Sequence, residues 1–240
     1  MILKLVSEHP LLFDIVISAE EIALKCHLTG EVLLWNYDYE FLSSNLYKNS
    51  FEALTSQVQE DVVIQHIDPE QQSDFAIAVS LCSSGFTADW GIGLSFFEFH
   101  EDVVGFERQN AHSERLVSTS INKGPFVRFA WGITFEPRLN LHCDPPDGIL
   151  AEDWRDATFD PNSPRVFVRV ERQVIFGFPD VNAFMFSMRP YHYDVVDMTS
   201  NQRETLISAL RNLKSESKIV LRHRPPVISY LEHLNRITSD

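Results

Sequence analysis

Cysteine is scarce in this chain. Cys26, Cys82 and Cys143 are the three in 240 residues, an odd number with no close pair. That excludes a disulfide framework and a Cys-x-x-Cys metal knuckle, and it fits a reducing, cytoplasmic setting. Basic residues are also few, 20 Lys and Arg against 34 Asp and Glu, for a formal charge of -14. A chain so acidic lacks the footprint that nucleic acid or anionic lipid requires, so neither nucleic acid nor membrane is expected as a partner. Long apolar runs are missing as well. The opening MILKLVSEHPLLFDIVIS is broken by Lys4, Glu8, His9, Pro10 and Asp14, and reads as neither a signal peptide nor a membrane span. There is no Gly-x-Gly-x-x-Gly, Walker A loop, His-Glu-x-x-His or Gly-x-Ser-x-Gly, which removes dinucleotide, nucleotide, zincin and α/β-hydrolase readings based on motifs. No repeat or low-complexity segment is evident.

Phenylalanine, in contrast, is abundant: 18 residues, concentrated in Phe96 to Phe106, Phe126 to Phe135 and Phe176 to Phe186. Aromatic strands of this kind fill a thick core or wall a cavity for a flat apolar ligand. The first fifty residues are weakly patterned and receive no assignment. Phe51 to Asp61 reads as helix. Asp74 to Ser84 and Leu94 to His100 read as strands, Gly105 to Ile121 as a surface helix, and Gly124 to Phe135 as a strand after a Gly-Pro break. Asn140 to Pro164, with four prolines and six acidic residues, reads as a long excursion of the kind that often forms a lid. Two amphipathic helices close the chain, Glu204 to Leu213, with Asn201 as cap, and Val227 to Ile237. About five strands with few crossover helices predict an α+β fold built on an antiparallel sheet. The expected divisions are an N-terminal extension over 1–50, the sheet domain over 51–198 and the C-terminal helices over 199–240.

One hairpin stands out. In FVRVERQVIFGFPDVNAFMFSMRPY, Phe167 to Tyr191, side chains two apart share a face. Val166, Val168, Val170, Val174 and Phe176 fall on one side, interrupted by Arg172. Phe167, Arg169, Glu171, Gln173 and Ile175 fall on the other. Gly177, Pro179, Asp180 and Asn182 supply the turn. The charged face either looks at water or lines something that needs charge.

VRVERQ (Val168 to Gln173), then Pro179 and FMFSMRPY (Phe184 to Tyr191), closely resembles the signature of the haem-dependent oxidative N-demethylase family. Other pieces follow in the family's order. VQED (Val58 to Asp61) is similar to its Gln-Glu-Asp element, and VSLCSSGFTADW (Val79 to Trp90) to its strand leading to Ser-x-Trp. FFEFHEDVVGF (Phe96 to Phe106) stands where the family has Ile-His-x-Pro-Val-Pro-Gly, and VRFAWGI (Val127 to Ile133) where it has Arg-x-Asn-Trp. The resemblance runs from about Phe51 to Tyr191. Both prolines of the histidine block and the asparagine before Trp131 are absent here.

The resemblance implies a PAS-like sheet that binds haem b. It implies oxidation of a small methylated amine by O₂ to a demethylated amine and formaldehyde, with electrons from a flavin and iron–sulfur reductase on separate chains. This chain's few cysteines and missing dinucleotide fingerprint agree that any electrons must be borrowed. His100, matching the histidine of its block, is then the expected axial ligand to iron, with the Cys143 thiolate as alternative. Arg128, Arg169 and Arg189 are the expected partners of the propionates, since guanidinium pairs carboxylates bidentately. Trp131 joins them as a pocket residue. Glu171 and Glu98 are the expected catalytic acids, and Glu98, Glu101 and Asp102 offer negative charge to an ammonium substrate. An Arg169–Glu171 pair that is only structural stays open. So does the other function, a non-catalytic PAS-like ligand-binding or sensor module. A metal site at His142, Cys143 and Asp144 would need further ligands, because adjacent residues rarely converge on one ion.

Overall fold

A computed structural model describes residues 2–43, 45, 47–71, 73–83, 88–101, 107–154, 157–213 and 218–237. The chain forms two compact units, 1–60 and 61–240. In the first, helix α1 (Ile2–Glu8) precedes strands β1 (Phe13–Ile17), β2 (Ile22–Cys26) and β3 (Val32–Trp35), and helix α2 (Ser50–Thr55) follows. The strands pair antiparallel in the order β1-β2-β3. Leu5, Phe13, Leu24, Leu33, Trp35 and Ala53 close its core. Short apolar runs separated by polar turns thus carry more order than their weak pattern suggested.

The second unit is built on strands β4 (Asp61–Ile67), β5 (Asp74–Ser80), β6 (Phe126–Thr134), β7 (Phe167–Phe178) and β8 (Ala183–Asp194). They form one antiparallel sheet in the order β5-β4-β8-β7-β6. Counted within the unit that order is 2-1-5-4-3, the PAS-like arrangement that the resemblance implies. The hairpin forms with the expected faces, and its second strand runs beyond Met188 to Asp194.

Between β5 and β6, the described residues form four short helices: α3 (Ala88–Gly91), α4 (Phe96–His100), α5 (Glu107–Asn110) and α6 (Ser113–Asn122). Leu94 to His100, expected as a strand, is therefore helical from Phe96. A capping box decides it: the Ser95 hydroxyl accepts from Glu98 N at 3.2 Å, and the Glu98 carboxylate accepts from Ser95 N at 2.7 Å. The fifth strand of the sheet is instead β4, which begins at Asp61, the last residue of the expected helix. The expected helix over 105–121 divides into α5 and α6, and its first two residues lie outside the described ones. α6 presses so closely on the hairpin that a Cβ at Gly177 would stand 2.1 Å from Ile121 O. Val117, Ile121 and Phe184, with Ile175, Phe186 and Phe96 against them, make the core on this face.

Helices α7 (Ser200–Asn212) and α8 (Lys218–Ile237) close the unit. Thr199 and Gln202, two residues before the expected cap, form the capping box of α7. The Pro225–Pro226 pair sits inside α8 rather than before it. Both helices bury Leu206, Leu210, Val227 and Leu231 against Val166, Val168 and Val195. Arg203, 2% exposed, ties them together by donating to Asn235 Oδ1 at 2.7 Å and to Met198 O at 2.6 Å. Among the described residues, no helix is long and apolar enough to cross a membrane.

Candidate functional site

Cross-strand partners share a sheet face, so the register places the polar side chains. Arg128, Gln173, Met188 and Asp61 lie in one row across β6, β7, β8 and β4. Ala130, Glu171 and Pro190 form the next, and Gly132, Arg169 and His192 the one after. This is the face that α6 covers at its other, apolar end. The pleat brings Arg128, Gln173, Glu171 and Arg169 into one strip just beyond that helix.

Hydrogen bonds join the strip end to end. Arg128 Nε donates to Gln173 Oε1 at 2.5 Å, and Gln173 Nε2 donates to Glu171 Oε2 at 2.8 Å. Arg169 forms an ion pair with the other oxygen of Glu171 and donates to Ser83 O at 2.8 Å. Both oxygens of Glu171 are thus engaged. Ser83 is held in turn by Asp61, a buried carboxylate that accepts from Cys82 N at 2.7 Å and Ser83 N at 2.9 Å. Asp61, which ends the Gln-Glu-Asp element, and Arg169 of the hairpin signature, more than a hundred residues apart in sequence, therefore converge on Ser83.

His100 ends α4. Asp74 on β5 positions that helix by accepting from Phe96 N at 2.6 Å and from Gln65 Nε2 at 2.7 Å. His100 Nδ1 lies 2.7 Å from Phe96 O, a contact that requires Nδ1 to carry the proton and makes Nε2 the lone-pair nitrogen of the neutral ring. Burial lowers the His100 pKa, and the nearby Arg128 charge lowers it further, so the neutral form is favoured. Burial also lowers the Arg128 pKa, against the pull of Glu171. Asn110 donates to His100 O at 2.9 Å, and its buried Oδ1 meets no partner among the described residues. At the far end of the strip, burial and Arg169 lower the pKa of His192.

The other expected residues fall elsewhere. Arg189 pairs with Arg172, and Trp131 with Val170, on the opposite sheet face from Arg128 and Arg169. Glu98 is exposed and committed to the capping box, whose hydrogen bonds hold its pKa below the usual carboxylate value. Glu101 caps the C-terminus of α4, and Asp102 lies outside the described residues. Cys143 sits on the excursion, with no helix or strand among the described residues between Phe135 and Val166. Leu141 N donates to Cys82 O at 2.8 Å, so the excursion passes beside the segment that Arg169 grips. Arg138 folds it on itself, stacking 3.9 Å over the Trp154 ring and donating to Trp154 O. The ligand atoms of His142, Cys143 and Asp144 come within 4.8 Å of one another, but His142 Nδ1 accepts from Asp144 N at 3.1 Å. A cleft of about 660 Å³ beside Phe159, Pro226, Tyr230 and His233 contains none of the expected site residues.

Gln173, Asp61 and His192 belong to the strip without having been expected in the site. Gln173 was legible, since it shares the alternating face of Arg169 and Glu171. Nothing local marks Asp61 as the anchor of residues twenty positions on.

The family model described as haem-dependent oxidative N-demethylase, alpha subunit-like, matches residues 1–221. The chain belongs to that family. The match takes in the first fifty residues, which carried no visible family motif, all of α7 and only the first turn of α8. The family's name implies a haem cofactor, an N-demethylating enzyme and further subunits beside the alpha subunit-like chain.

The donor set of the strip fits such a group. A neutral imidazole with its lone pair on Nε2 suits iron, Arg128 and Arg169 suit carboxylates, and Phe96, Ile175 and Phe186 supply an apolar wall beside them.

Proposed function

We propose that this haem-dependent oxidative N-demethylase family member is the haem-carrying subunit of an enzyme that demethylates a small methylated amine. The haem is of type b, held without covalent attachment, since the sequence has no Cys-x-x-Cys-His. The observation that carries the reading is the His100–Phe96 contact, which prepares a neutral imidazole ligand next to a cationic strip in a chain of this family.

Bound haem supplies the binding and reduction of O₂. The overall change takes the methylated amine, O₂, two electrons and two protons to the demethylated amine, formaldehyde and water. The electrons come from a flavin and iron–sulfur reductase on other chains. His100 would hold the iron through Nε2, while its Nδ1–H donates to Phe96 O and fixes the ring plane. Arg128, its head group aimed by Gln173, would pair with a propionate. Glu171 neutralises and orients Arg169 rather than acting as a base, because both its oxygens already accept hydrogen bonds. Glu98 fixes the start of the helix that carries His100. Arg189 and Trp131, on the far face, support the sheet from behind.

The test is turnover. The purified chain, loaded with haem and given a chemical electron donor and O₂, is assayed against mono-, di- and trimethylated amines. One formaldehyde per O₂ consumed, with at least one of these amines, is the expected result. Haem binding without formaldehyde from any of them would favour the ligand-binding or sensor module.

A further inference from the structure

The two edges of the five-stranded sheet are finished differently. At β5, Ala76 N donates to Leu94 O at 2.8 Å and Gly93 N donates to Ala76 O at 2.9 Å, so the chain itself occupies that edge. At β6 no backbone hydrogen bond on the outer side is present among the described residues. Alternate N–H and C=O groups of an edge strand point outward, and natural edges are blunted by charge, proline, a bulge or a covering segment. Within its span β6 has no proline or bulge and, among the described residues, no covering backbone partner: nine residues pair with β7 in unbroken register, and they contain neither Lys nor Pro nor any acid. Its single charge, Arg128, is bonded to Gln173. Phe129 is 66% exposed and Trp131 42%, both on the same face. Exposed aromatics along an open edge mark an interaction surface.

We propose that the β6 edge is a docking surface for a second copy of this chain, strand against strand, antiparallel about a two-fold axis. Three observations favour that occupant. A chain of net charge -14 repels its own copy over most of its surface, whereas this edge carries no acidic residue. The closed β5 edge prevents head-to-tail addition, so pairing of β6 with β6 ends at two copies instead of growing a filament. The strand is also self-complementary: a register centred on Ala130 sets Phe129 opposite the second copy's Trp131, twice, and aromatic cross-strand pairs stabilise such ladders. The inference rests on the sheet alone and not on the haem reading.

The test uses the full chain in reducing buffer, so that the exposed Cys82 and Cys143 cannot cross-link it. Light scattering on a size-exclusion column is expected to give the mass of two chains, against 27.6 kDa for one. Phe129→Glu/Trp131→Glu sets glutamate against glutamate and is expected to yield monomer. Phe129→Lys/Trp131→Glu sets lysine against glutamate twice and is expected to restore the dimer. A wild-type chain that stays monomeric at tens of micromolar, including one that pairs only with a different subunit, would overturn the proposal. So would a Glu/Glu variant that remains dimeric, or a Lys/Glu variant as monomeric as the Glu/Glu one.

Discussion

Replacing Arg169 with methionine tests whether the polar strip is built into the protein or merely lies on it. The side chains of Arg169 and Glu171 keep 17% and 21% of their surface exposed, between a fully buried pair and a surface one. Breaking a buried pair costs about 3–5 kcal/mol and breaking a surface pair about 0–1 kcal/mol, so about 2 kcal/mol is assigned to the stranded Glu171 charge. Ser83 O also loses its donor at 2.8 Å, worth about 1 kcal/mol more. The sum, about 3 kcal/mol, corresponds to a fall in Tm of about 6–12 °C for a chain of this size. Urea titration followed by far-UV circular dichroism gives the difference directly. Adding Glu171→Leu removes the stranded charge, and the double variant should regain about half of the loss. Recovery is incomplete because Gln173 Nε2 then loses its acceptor. A loss below about 0.5 kcal/mol for Arg169→Met, the size of an ordinary surface substitution, would refute the reasoning.

Gly177→Ala should destabilise by at least about 2 kcal/mol, because the new Cβ meets the backbone oxygens of Ile121 and Ser120 and no side chain can swing aside. Gly132→Ala is its control: nothing lies within 4 Å of a Cβ there, and a neutral or slightly stabilising effect in the same denaturation assay is expected. The histidines set a pH dependence. His100 and His192 both have folded pKa values below the ordinary 6.5, so the unfolded chain binds more protons just below that value. Their contribution is complete above pH 6.5 and is lost as the pH falls through the depressed folded values. Urea midpoints should decline from pH 7.5 to 5, and His100→Asn should flatten the decline; an unchanged slope in that variant would count against burial of the ring.

The hairpin was readable from its alternation alone, because a two-residue period needs no tertiary information and the turn residues fix where it folds back. The Phe96–His100 helix was readable too, from the Ser95–Glu98 spacing of a capping box, but its four aromatic and histidine side chains in five residues outweighed that signal. β4 escaped because a central strand buried on both faces loses clean alternation: Asp61 and Gln65 are as buried as Val62. The site was half legible. Arg128, Arg169 and Glu171 share a strip because of strand register, which the period of two anticipates within β7 but not between β6 and β7. Arg189 and Trp131 stand at block positions that resemble the family, and their parity on the strand turns them to the face opposite Arg128 and Arg169. Asp61 and His100 reach the strip through the 81–83 turn and α4, and those long-range placements leave no local trace.

The central claim is that His100 and the cationic strip hold an iron porphyrin, and a haem titration read by visible absorption tests it most directly. The wild-type chain should take up about one haem with a sharp Soret band that shifts under carbon monoxide, and His100→Ala should lose that band or bind haem far more weakly. A His100→Ala variant with the wild-type spectrum and affinity would contradict the account.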